Sequence, residues 1–72
     1  MSLTARINRD KIEIFDTTSG GIKRAHQLPP GEYTGLVVSG DNVSVTIRTP
    51  YAGDKIRTIS MKTGAMVSEL SM

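Results

Sequence analysis

The chain has 72 residues and a mass of 7.8 kDa, room for one small domain with a thin core. It is 38% hydrophobic and 22% charged, which is ordinary for a globular protein and unlike a disordered tail. No apolar run approaches the ~18–20 residues of a membrane-spanning helix. Met1 to Arg6 lack the apolar stretch of a secretory signal. The absence of cysteine excludes disulfides, thiol catalysis and cysteine-bound zinc.

The pattern along the chain is one of strands. Ile, Val and Thr supply 20 residues and Ala only 4, and β-branched side chains suit a pleated surface better than a helix. No window carries the i, i+3, i+4, i+7 apolar stripe of a helix. Leu3 to Asn8 adds a short strand if it pairs across an Asn8-Arg9-Asp10 turn. Lys11 to Phe15 alternates, with Ile12 and Ile14 on one face. Asp16 to Gly21 is a turn cluster, and Ile22 to Leu28 the next strand. Pro29-Pro30-Gly31 breaks the ladder, because two consecutive residues lack an N–H. Pro30 and Gly31 suit the central positions of a type II turn.

Tyr33 to Val38 is a strand, and Ser39-Gly40-Asp41-Asn42 a connection of hairpin length. Val43 to Ile47 gives the cleanest alternation in the chain. Thr49 to Asp54 is a loop, Lys55 to Met61 a strand, Lys62-Thr63-Gly64 a turn, and Ala65 to Leu70 a last strand. Ile56 breaks parity with Ile59 and Met61, so we expect a bulge near Arg57-Thr58 that returns all three to one face. A weak internal echo aligns Arg9–Ile14 with Gly40–Val45, and Gly21–Arg24 with Lys55–Thr58. It reflects either two hairpins of similar shape or a duplicated hairpin unit like those that stack in barrels and propeller blades.

The expected core is Ile12, Ile14, Ile22, Val43, Val45, Ile47, Ile56 and Ile59, with contributions from Leu36, Val38 and Val67. The expected fold is all-β, a single domain over residues 1–72 built as a small antiparallel meander of five or six strands. Chains of this shape resemble SH3-like and OB-like small barrels, or a single propeller-type blade. Such modules serve in assembly, as adaptors or in nucleic-acid binding, in phage particles as well as in cells.

Groups able to do chemistry are few. His26 is the only histidine and reads as a polar surface side chain. Asp10, Glu13 and Asp16 are the closest acids and read as a solvated face, so no metal or cofactor is expected. Ser19-Gly20-Gly21 is followed by a strand, whereas phosphate-cradling loops are followed by a helix N-terminus. Thr17, Thr18 and Ser19 have no histidine in fixed relation to them, so no nucleophile triad is expected.

Two functions remain. The first is a non-catalytic structural or protein-interaction module that forms a homo-oligomer through its C-terminal strand, such as a virion-type assembly component. A small β-domain without disulfide or metal is in the size range where association supplies missing stability. The last segment also carries apolar residues on both parities, and Met61, Met66, Val67 and Leu70 are the expected interface. The second is a small-barrel nucleic-acid binder. Val43 to Thr63 holds four cations and one anion, and Arg48, Tyr51, Lys55, Arg57 and Lys62 would form its basic patch. The expected location is cytoplasmic or virion-associated rather than membrane.

Overall fold

A computed structural model describes residues 2–51 and 53–71. It contains seven strands: β1 (Leu3–Asn8), β2 (Lys11–Asp16), β3 (Ile22–Gln27), β4 (Glu32–Ser39), β5 (Asn42–Thr49), β6 (Gly53–Ser60) and β7 (Met66–Ser71). The count exceeds the expected five or six because every extended segment of the sequence, Leu3–Asn8 included, pairs as a strand. No helix forms among the described residues.

The strands make two antiparallel meanders, β1-β2-β3 and β4-β5-β6-β7. The division falls at Pro29-Pro30-Gly31, between β3 and β4, as the missing N–H groups require. Gly31 has a positive φ of 155°, far from the value near +80° at the third position of a type II turn, so that turn does not form. Glycine is needed there for a different reason. A Cβ at Gly31 would stand 2.8 Å from the Arg48 carbonyl oxygen, across the start of the β4–β5 ladder. The β4–β5 turn does match expectation. Ser39 faces Asn42, and Gly40 takes φ 60° at the first of the two loop residues, as a type II′ hairpin wants.

The two sheets lie face to face and do not close into a barrel. Leu3, Ala5 and Ile7 of β1 pair with Asp16, Ile14 and Ile12 of β2, and this face points inward. In the second sheet Leu36, Val45 and Arg57 share the inward face, as do Val43 and Ile59. The core between them is Ile12, Ile14, Leu28, Val43, Val45, Ile47, Ile59 and Met61. Leu3, Ala5, Ile7, Tyr33 and Leu36 pack around it. The echoed segments fall on β2–β3 and β5–β6, one hairpin from each sheet.

Several expected core positions differ. The expected bulge in β6 is absent, because β5 and β6 pair without a break from Thr49↔Gly53 to Asn42↔Ser60. Ile56 therefore pairs with Thr46 on the outer face. The irregularity lies on the other side of β6. Pairing steps from Thr58↔Ser68 to Ile59↔Met66, which leaves Val67 as the extra residue of β7. Ile22, Val38 and Val67 are exposed. Ile22 follows a similar slip in β2–β3 and pairs with Phe15 on the outer side. Val38 lies at the end of an edge strand, and Val67 on the last one. Leu28 and Met61 take their places in the core, each one residue past the end of its strand, where their N–H groups continue the ladder to the Asp10 and Asp41 carbonyls.

A fully buried aliphatic side chain contributes roughly 1.5–3 kcal/mol. Val45→Ala should cost roughly 1–3 kcal/mol and Met61→Ala roughly 2–4 kcal/mol in urea unfolding. Ile22→Ala should stay within about 0.5 kcal/mol of the parent. A large loss at Ile22 with none at Met61 would contradict this core.

Candidate functional site

The two sheets are unequal, and the surplus strand is β7. Stacking begins at one margin, where β1 comes against β4. At the other margin β3 lies over β6, since His26 of β3 reaches Arg57 of β6 at 3.1 Å. Nothing from the three-stranded sheet remains to cover β7, and all six of its residues are exposed. Met66 and Glu69 sit opposite the inward-facing Ile59 and Arg57, while Ser68 and Leu70 sit opposite the outward Thr58 and Ile56. Apolar side chains therefore stand bare on both of its faces.

The margin beside β7 is sealed by polar groups. The Arg57 side chain is only 17% exposed. Its Nε and Nη2 donate to Glu69 Oε2 at 2.8 and 2.7 Å, and its Nη1 donates to His26 Nε2. Arginine has no acceptor, so His26 Nε2 must be the unprotonated nitrogen. The proton is then on Nδ1, which donates to the Gly64 carbonyl at 3.1 Å. Arg24 also packs on Gly64, where a Cβ would meet its Cδ at 3.1 Å. His26 is thus a tie between the sheets rather than the surface side chain expected from sequence. Tyr33 of β4 holds the link between the sheets. Its hydroxyl donates to the Pro29 carbonyl at 2.6 Å, and burial, then the Asp10 charge, push its pKa up.

The acids are also less solvated than expected. Glu13 and Asp16 are both buried. Glu13 lies on the outer face of its sheet under Arg6, whose Nε donates to Oε1 at 3.0 Å and whose guanidinium also covers Phe15. Asp16 Oδ1 accepts the Thr18 N–H and shapes the β2–β3 turn. No group of three or more metal-ligating side chains comes together among the described residues.

The expected basic patch is dispersed. Arg48 is on the outer face with Asp54, 3.5 Å away, whereas Lys55 and Arg57 point to the inner face. Lys62 pairs with Asp41 at 3.2 Å across a groove of about 410 Å³ at the end of the sandwich. Tyr51 is fully exposed in the β5–β6 loop. Of the expected interface residues, Met66, Val67 and Leu70 are exposed on β7, while Met61 is core. Strand parity gives β7 apolar groups on both faces, as if each were covered, one of them by the domain's own core; in the structure all six of its residues are exposed. The Arg57–His26 tie had no such signal, because it depends on how the sheets stack. No helix among the described residues is long and apolar enough to cross a membrane.

Comparisons with protein-family models, curated proteins and solved structures find no match.

The two ion pairs set the acid limb of stability. The Arg57 hydrogen bonds hold Glu69 below the usual carboxylate range, and those of Arg6, then Asn8, do the same for Glu13. A carboxyl whose folded pKa is depressed stabilises the fold above its unfolded value, about 4.3 for Glu, and loses that contribution as pH falls through the folded value. Urea midpoints should therefore fall as pH drops from about 5 to 3. Glu69→Gln and Glu13→Gln should each flatten that slope, and an unchanged slope in both would remove these pairs as its cause.

Proposed function

We propose that the protein is a non-catalytic structural or protein-interaction module that associates with itself through its C-terminal strand. The observation that carries this reading is β7, a strand exposed along its whole length with apolar side chains on both faces. A protein of this size has little core to spare, and a strand held only by its ladder and one ion pair gains stability when a partner covers it. The net charge of +2 opposes association only weakly. A role as a building block of a larger particle, in a virion or a cell, extends that self-association and rests on nothing else.

A second reading, single-stranded nucleic-acid binding, draws on the exposed Tyr51 ring in the loop whose flanking strands carry Arg48 and Lys55. It is the weaker reading, since Arg48, Arg57 and Lys62 are each engaged by a carboxylate.

Light scattering at micromolar concentration should give a mass that is a multiple of 7.8 kDa. Met66→Asp or Leu70→Asp should dissociate the assembly and lower Tm together, because folding and association are linked. A fully folded monomer sinks the proposal. Labelled single-stranded DNA at low ionic strength should not bind; salt-sensitive binding lost in Tyr51→Ala would put the second reading first.

A further inference from the structure

The margin formed by β3 and β7 is a step. The three-stranded layer stops at β3, and the four-stranded layer runs on by one strand. The free edge of β3 is the riser of that step and the uncovered inner face of β7 is its tread. We infer that the step is filled by β7 of a second copy, in a reciprocal joint about a twofold axis that runs along the strands between the two layers. This inference rests on the self-association proposed above and specifies its geometry.

Three observations select this occupant. The first is strand matching. Rotation about such an axis exchanges the layers, so the partner's β7 enters the upper layer beside β3 and lies over β7. Each layer then holds three strands of one copy and four of the other, and no strand is left uncovered. The second is charge. β3 carries Lys23 and Arg24 and no acid, whereas β7 carries Glu69 and no base. Arg24 and Glu69 both belong to inward faces, since Arg24 pairs with Ile14 and Glu69 with Arg57. The joint brings each Glu69 to the cationic edge of the other copy, and the two Glu69 carboxylates that then face each other across the layers are each neutralised by their own Arg57.

The third is direction and level. His26 bridges Arg57 and Gly64, Arg24 stands at Gly64 beyond the C-terminal end of β6, and Pro29, just past β3, is held by Tyr33 at the level of Lys55 near the start of β6. β3 therefore runs opposite to β6 and in the same direction as β7. A twofold along the strands preserves direction, so β3 and the partner's β7 lie parallel. His26 bonds Arg57 through one ring nitrogen and the Gly64 carbonyl through the other, so it lies between the level of Glu69 and the β6–β7 turn, and Ala25 falls beside the Ser68 stretch of β7. Both face outward, Ala25 opposite Glu13 and Ser68 opposite Thr58. In the joint they become side-by-side neighbours from different copies, within reach of a disulfide.

The natural chain has no cysteine, so the test has no background. Ala25→Cys and Ser68→Cys are made as separate full-length variants at exposed positions, checked for folding by circular dichroism, mixed in equal amounts and oxidised. The joint predicts a mixed 25–68 dimer as the main product, because two copies of Ser68 lie on opposite outer faces. A predominant 68–68 product would overturn the joint in favour of edge-to-edge pairing of β7 with β7, leaving self-association intact. An oligomer by light scattering that gives no 25–68 product would likewise overturn the joint alone. A folded monomer would remove both. Arg24→Glu should weaken the dimer about tenfold or more, read as a shift in the dissociation midpoint. An unchanged midpoint would overturn the charge match.

Discussion

The fold depends on the inability of Pro29 and Pro30 to donate a backbone hydrogen bond. Without that interruption β3 would turn into β4 as a further hairpin, and one seven-stranded sheet would result, with its apolar face open to water. Two consecutive residues without N–H groups end the first ladder, and Gly31 begins the second by letting its backbone approach Arg48 more closely than any side chain would allow. The second meander can then fold back over the first and bury Ile12 and Ile14 against Val43, Val45 and Ile47. The break also divides the strands unequally, three and four, and the exposure of β7 follows from that division.

Arg57 is the counterpart of that division at the covered margin. It occupies an inward position of β6, in register with Val45, where an aliphatic residue would extend the core. A charge so little exposed is tolerable only with its donors satisfied, and Glu69 and His26 take them from either side. The guanidinium thereby ties β7 to β6 laterally and β6 to β3 across the layers. His26 can accept from Arg57 only while its Nε2 is bare, so the Gly64 carbonyl, by accepting from Nδ1, selects the tautomer that makes the tie. The margin that borders β7 is therefore held by directional polar contacts, whereas the rest of the interior is apolar packing.

What the sequence made legible was what depends on local chemistry. Strand positions, the Pro-Pro break, the Gly40 hairpin and six of the eight buried residues follow from alternation and turn composition. Two of the misplaced residues share one physical cause. Parity holds only while the ladder is regular, and slips opposite Phe15 and Ile59 shift Ile22 and Val67 out of phase. The parity break at Ile56 was real, but one sequence cannot tell whether a strand bulges or simply turns a side chain outward. Leu28 and Met61 keep the inward parity of His26 and Ile59, so alternation itself put them on the core face, and they were missed at the strand ends, where Met61 was assigned to the interface instead. Apolar groups on both faces of the last strand were readable, but alternation put Met66 and Leu70 on the same face and only the slip at Val67 separates them, whereas the His26–Arg57 contact joins residues that only sheet stacking brings together.

The edges carry a further constraint. Three of the four edge strands contain an extra residue: Lys23 in β3, Thr34 in β4 and Val67 in β7. Both inner ladder strands that face each other in the second sheet, β5 and β6, pair without interruption. Irregularity confined to edges is a known defence against indefinite strand addition, since a bulge twists the free backbone groups away from a regular incoming strand. Exposed apolar edges without such a device would propagate into fibres. β1, the unbulged edge strand, is instead shielded where it meets β4. A bulged, charged and partly apolar edge such as β7 still offers backbone groups, but only to a partner that matches its kink and its charge. The edge chemistry therefore favours a closed contact between specific strands over open-ended growth.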